Sequence, residues 1–406
     1  MVNLNYLEMS TMISNKKYFL FYWLVGLLSL GSCKDDHFNG IVEGNTVPPG
    51  PVTNIQVTND HGKAILRYTL PGDDDLLYVK AEYPLPNGQM RVIKSSQYSN
   101  ELTVDGFANT DPYQIKLYAV NKSEVSSVAT DVTVQPKEPI FNLVFDQIQV
   151  TSSFGGVRIR SLNTLKGSVV VVPMVDSLGT GEYVQLDSYY TEDSLINYNV
   201  RGLKSEEMKF AFYVRDRWLN TSDTLFASVT PLEENLLDRN LFQAIRLPND
   251  ADFRFDTNLP MLWDGNLSIG KWPSLYTQDI ASSPTSLTFS IGKEAKISRV
   301  VVFPRRENGF YDKGNLREFE IWASNEYTQD GSWDSWTKLA SCLVVKPSGT
   351  PVGTSTAADE AAGTIGWSFD MPEDALKYKY LRIRNLRNWQ GSYFMQIRQI
   401  QIWGVY

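Results

Sequence analysis

From Val52 onward, apolar residues recur at alternate positions, and no long stretch follows the 3.6-residue period of a helix. Ile55 and Val57, Val79 and Ala81, and Ile115, Leu117 and Ala119 mark short strands. Turns rich in Gly, Asn, Asp and Pro separate them, at 59–62 (NDHG), 71–73 (PGD) and 86–88 (PNG). Strands at this regular spacing predict a small antiparallel sandwich over residues 51–138. Pro136 and Pro139 punctuate its end, and a second block of similar size follows over 139–231. Its strands are expected at Val157–Ile159, Val169–Val172 and Lys209–Val214. Residues 232–249 read as a connector, with LLDRNLFQAI (236–245) a short helix, and 250–406 as a third β-module. The expected fold class is all-β.

The N-terminus carries an address. Lys16 and Lys17 precede Tyr18–Leu30, thirteen residues without a charge. A bilayer-spanning helix needs about 20 apolar residues, whereas the apolar core of a signal peptide runs to about 7–15. The run ends in Leu30-Gly31-Ser32-Cys33, which resembles a bacterial lipobox, so residues 1–32 are expected to be removed and Cys33 acylated. Met1–Thr11 carries Glu8 and is unlike a signal-peptide start, which makes Met12 an alternative first residue. Lys34-Asp35-Asp36 resembles the short acidic signal that directs lipoproteins of Bacteroidetes-type bacteria to the cell surface. Gly40, Gly44, Pro48, Pro49 and Gly50 make residues 33–50 a flexible tether.

Composition narrows the chemistry. Lys plus Arg number 38 against 46 Asp plus Glu, a formal charge of −8. That balance argues against nucleic acid, whose binding needs a cationic surface to release counterions. His37 and His61 are the only histidines, too few for a His-rich metal site. Cys33 and Cys342 are the only cysteines, so there is no disulfide framework, and Cys342 in LASCLVV reads as a buried apolar residue. Eight of the ten tryptophans (263, 272, 322, 333, 336, 367, 389 and 403) lie beyond residue 250, which points to the C-terminal module for recognition. Trp322 and Trp403 alternate with polar neighbours on expected strands and read as core.

Two resemblances sharpen this reading. Leu70–Leu76 (LPGDDDL) and Tyr113–Asn121 (YQIKLYAVN) resemble a fibronectin type III domain, and the 139–231 block is read as a second fibronectin- or Ig-like sandwich. In the third block, Leu262–Asn266 (LWDGN), Ile297–Arg305, Asn315–Ser324 (NLREFEIWAS) and Ile397–Gly404 (IRQIQIWG) resemble a discoidin domain of the galactose-binding type. That fold is an antiparallel jelly roll whose loops at one end hold the ligand. The full order resembles surface lipoproteins of unknown function from Bacteroidetes glycan-utilisation systems.

The discoidin resemblance implies site residues. An aromatic shelf with polar donors would come from Trp272 and Tyr276, from Arg305, Arg306, Phe310, Tyr311 and Asn315, and from Trp389 and Tyr393. A pyranose stacks its CH face on an aromatic ring, while its hydroxyls need fixed donors and acceptors. The same resemblance places a structural calcium ion at Asp264 and Asn266, completed from the last strand. The matching position there is Gln399, which offers a carbonyl but no charge. No other cofactor is implied.

The resulting expectation is a non-catalytic lipoprotein at the outer-membrane surface that captures polysaccharide or oligosaccharide for an importer complex. The alternative is a structural lipoprotein that docks onto the importer's proteins; phospholipid binding and glycoside hydrolysis rank lower. The lipobox makes a direct prediction. Labelled palmitate should enter the wild-type chain and fail to enter Cys33→Ala, and protease added to intact cells should digest the protein. Equal labelling of both chains would remove the anchor from the account.

Overall fold

The computed structural model describes residues 44–267, 274–279, 282–307 and 309–406. The expected signal sequence, Cys33 and Trp272 lie outside these residues. The chain forms two compact units, one ending at Lys137 and one spanning Glu138–Tyr406. It is nearly all-β, as its alternating pattern requires.

The first unit is a sandwich of β1 (Thr53–Asp60), β2 (Lys63–Thr69), β3 (Leu76–Pro84), β4 (Met90–Ser96), β5 (Glu101–Asp105), β6 (Tyr113–Asn121) and β7 (Thr130–Val134). One sheet runs β1-β2-β5 and the other β4-β3-β6-β7. Alternate residues of β2, β3 and β6, among them Leu66, Val79, Ala81, Ile115 and Leu117, are buried between them. The Tyr83 hydroxyl donates to the Asp105 carbonyl at 2.9 Å and accepts from the Asp105 amide at 3.0 Å, which clamps the end of β5.

The second unit opens with a short helix, α1 (Ile140–Phe145), which buries Phe141 and Val144. The strands that follow are β8 (Gln149–Ser153), β9 (Gly156–Leu162), β10 (Val169–Asp176), β11 (Val184–Gln185), β12 (Tyr189–Thr191), β13 (Leu195–Val200), β14 (Met208–Arg215) and β15 (Leu225–Val229). They make sheets ordered β13-β9-β8 and β11-β10-β14-β15, with β12 also on β10. Phe210 and Phe212 of the expected KFAFYV strand lie fully buried in the core.

The connector departs from the expected helix. Residues 236–245 comprise the end of β16 (Asn235–Leu236), a 3-10 turn at Arg239–Leu241 and β17 (Gln243–Ile245). Sheet edges capture the backbone here: β16 pairs with the last strand, β17 pairs with the long strand described next, and the Leu237 amide donates to the Ile402 carbonyl. Edge pairing supplies more backbone hydrogen bonds than a helix this short could retain.

The C-terminal module is built on one strand. After β18 (Leu275–Tyr276) comes β19 (Thr285–Pro304), then β20 (Leu316–Ser324), β21 (Thr337–Leu343), a helix α2 (Ala357–Ile365), β22 (Trp367–Asp370), β23 (Tyr378–Asn388) and β24 (Gln396–Val405). The first half of β19 pairs with β17 and β23, and β23 continues the layer through β20 to β21. The second half pairs with β22 and β24 in the opposite layer. The layer changes after an irregular stretch between Ser290 and Ala295, which contains Gly292, whose φ is +85° and where a side chain would collide with Leu241. Cys342 lies in the core between the layers, and burial pushes its thiol up to about 12.

Within the second unit, a charged network joins the middle sandwich to this module. The Glu234 side chain is 3% exposed and accepts from Arg201 Nη1 at 2.7 Å, Ser298 Oγ at 2.5 Å and Arg299 Nε at 3.2 Å. Arg201 also binds Asp370 at 2.7 Å, and Arg158 binds Glu373 at 3.1 Å. Removing one partner of a buried ion pair costs about 3–5 kcal/mol, because the remaining charge stays desolvated. Glu234→Ala should therefore lower the melting temperature of this unit, followed by tryptophan fluorescence. An unchanged melt would show that the network is solvated and contributes little.

Candidate functional site

The registers of β18, β19, β20, β23 and β24 bring five segments to one end of the jelly roll. Leu316 lies opposite Asn388, Thr285 opposite Asn385, and both Pro304 and Leu275 opposite Ile397. Residues 253–258, 274–279, 305–307, 309–315, 344–366 and 389–395 gather there.

Tyr276 forms the centre of an aromatic shelf. Its ring stacks on buried Phe394, with centroids 5.5 Å apart and planes 16° from parallel. Phe255 meets it edge-on at 5.1 Å and 90°. The Arg305 guanidinium lies 6.0 Å from the Tyr276 centroid and binds Glu307 at 2.7 Å. Arg254 covers the Phe255 ring at 4.7 Å and binds Asp279 at 2.6 Å. Burial raises the Tyr276 hydroxyl pKa and Asp279 adds to the rise, while Arg254 and Arg305 oppose it.

Sequence reasoning missed Phe255. Phe255 and Asp256 are consecutive non-glycine residues with φ of +57° and +56°, a conformation that costs energy for side chains with a Cβ. Neighbouring bonds hold the turn: the Arg254 amide donates to the Tyr276 carbonyl at 2.9 Å, and Thr257 Oγ1 donates to the Arg254 carbonyl at 2.8 Å. The turn leaves Phe255 51% exposed beside the shelf. The available sequence signal was an aromatic flanked by Arg254 and Asp256 in a segment without strand alternation.

Several sequence-expected contacts take other roles. Phe310 and Tyr311 are each 3% exposed and belong to the core, so neither offers a face to a ligand. The backbone of α2 lies directly on Phe310; a methyl group at Gly363 would sit 2.2 Å from its ring. Tyr311 packs against Trp367 and Trp389. Asn315 is buried and staples its own loop rather than facing a sugar. It accepts from the Arg305 amide and donates to the carbonyls of Arg305, Gly309 and Phe310. Arg306 turns toward α2, 3.4 Å from Glu360. Trp389 is half-buried, donates to the Leu316 carbonyl at 3.1 Å and has Arg317 4.8 Å over its ring, which makes it a supporting residue. Tyr393 remains at the loop end, where its carbonyl accepts from Thr285 and Asn385. Of the expected set, Tyr276 and Arg305 converge at the shelf.

The described residues expected to hold calcium lie beside arginine side chains. Asp264 Oδ1 accepts from the Asn266 amide at 2.8 Å. The Arg239 guanidinium lies against the backbone between them: a Cβ on Gly265 would fall 1.4 Å from Arg239 Nη1. Gln399 is buried on β24 and shares a cavity of about 250 Å³ with Arg239. Burial depresses the Arg398 guanidinium pKa, opposed by the charges of Asp264 and Glu307. Calcium needs about 6–8 oxygen ligands, and this loop meets arginines. Among the described residues, no group of three or more His, Cys, Asp or Glu side chains is placed to hold a metal.

Three family models match successive stretches of the chain, each a domain of unknown function: DUF4959 over residues 49–136, DUF5126 over 137–240 and DUF5000 over 263–404. Among solved structures, SusE-like protein BT2857 is 27% identical with a TM-score of 0.43, over 66% of this chain and 99% of that one. A fragment described as a chitobiase from Bacteroides thetaiotaomicron is 15% identical, TM-score 0.30, over 42% and 93%. A segment of two fibronectin type III domains from chicken tenascin is 13% identical, TM-score 0.21, over 44% and 99%. No curated protein matches this sequence.

Proposed function

We propose that the protein is a surface lipoprotein that binds glycan non-catalytically at the Tyr276–Phe255–Arg305 shelf and presents it to an outer-membrane importer. The carrying observation is the exposed Phe255 ring, held on a left-handed turn beside stacked Tyr276. Two aromatic faces suit the apolar side of a pyranose, and the flanking guanidiniums supply rigid donors for its hydroxyls. Asp279 and Glu307 are each tied to an arginine, an arrangement that fixes donors and adds acceptors. A few such contacts support micromolar-to-millimolar affinity, about 4–8 kcal/mol. An acylated Cys33 on the expected tether would hold this module at a membrane surface, where avidity among many copies compensates for weak single-site binding.

Isothermal titration against a panel of polysaccharides tests this reading. Phe255→Ala and Tyr276→Ala should each weaken binding by at least about 5-fold, the loss of 1 kcal/mol or more that marks a principal contact. Trp389→Ala should instead lower the melting temperature. Wild-type affinity in both shelf variants would exclude the shelf. An absence of wild-type binding to every glycan would favour docking onto importer proteins.

A further inference from the structure

A second feature of the loop end is a buried cation that belongs to the chain. Lys346 is 6% exposed, and its Nζ lies among oxygens: Thr350 Oγ1 at 2.8 Å, the Pro351 carbonyl at 3.0 Å, the Thr350 carbonyl at 3.2 Å and the Thr354 carbonyl in closer contact. Asp359, fully buried, places Oδ2 at 3.9 Å. An ammonium carries three donors and no acceptor, so such a shell matches its chemistry. The same carboxylate accepts from the Ser348 amide and hydroxyl and from the Thr356 amide, closing the N-terminus of α2. Burial works against the ionised form of Asp359, but these hydrogen bonds from Ser348 and Thr356 prevail and hold its carboxyl at about 2.

We propose that Lys346 is the resident cation of an oxygen cage that positions α2 beneath the ligand loop, and that Arg239, whose guanidinium packs on the backbone at Gly265, takes the place of a metal ion at the Asp264–Asn266 loop. Together they let the C-terminal module fold without calcium. The path to the shelf is contiguous. The cage fixes 346–359, α2 follows from Ala357, and its Gly363 backbone packs on Phe310 of the 305–315 loop that carries Arg305. Lys346 thus positions α2 and, through Gly363, its packing on Phe310. The argument for the cage rests on geometry remote from the shelf and stands whether or not the shelf binds glycan.

The test is thermal melting of the full mature chain, in EDTA and in millimolar calcium chloride. The wild type should melt at the same temperature in both. Lys346→Ala should melt about 6–12 °C lower, as expected for stranding a buried partner in a unit of this size. n-Propylammonium chloride should restore part of that loss, and equal sodium chloride should not. Thr350→Val, which keeps the lysine and removes one cage oxygen, should fall by about 2–4 °C, and it reads the cage even if Lys346→Ala fails to fold. A wild-type melt that rises with calcium would overturn the proposal. So would a Lys346→Ala melt equal to wild type, or one rescued no better by the amine than by sodium.

Discussion

The C-terminal module depends on the register of one strand. β19 serves both layers of the jelly roll, and a slip of one residue would turn its inward set outward. Its first half is buried on both faces. Leu287, Phe289 and Ile291 enter the core, while Ser286, Thr288 and Ser290 lie buried on the other side. That polar face is satisfied by side chains: Thr288 Oγ1 donates to Asp250 and accepts from Arg382 Nε. Arg382 in turn lies over the rings of Trp333 and Trp336, at 4.3 and 4.7 Å. The second half of β19 carries Ser298 and Arg299 to Glu234, so the joint with the middle sandwich is registered on the same strand.

A consistent device runs through the module: buried or half-buried cations are matched to rings and oxygens supplied by the chain itself. Arg382 stands on tryptophans, Arg317 on Trp389 and Lys346 in a cage of carbonyls. This explains the concentration of tryptophans better than recognition does. Trp263, Trp336 and Trp367 are buried in the module, and Trp389 is propped beneath its own loop. The proposed recognition surface is instead Tyr276 and Phe255, with the arginines that flank them.

The sequence made the β character legible because alternation along β3, β6 and β14 follows burial closely. It also gave the loop carrying Arg305 and the position of Tyr276. The roles of Phe310 and Tyr311 were hidden, since RRENGFYDKGN has the charge and glycine content of an exposed loop. Their burial comes from α2, a helix distant in sequence whose Gly363 permits backbone-to-ring contact. Phe255 was hidden for the converse reason. Its importance lies in a left-handed backbone that residue type does not announce. The connector was misread as helical because its apolar spacing fits a helix, whereas the free edges of β19 and β24 decide the outcome.

The central claim is that ligand contact is confined to the shelf. Hydrogen–deuterium exchange of the mature chain, with and without a bound polysaccharide, examines every segment at once. The account predicts slower exchange in peptides covering 253–258, 274–279 and 305–307, with the two N-terminal sandwiches unchanged. Protection in the sandwiches or on the outer face around Trp322 and Trp333, with none at Tyr276, would contradict it.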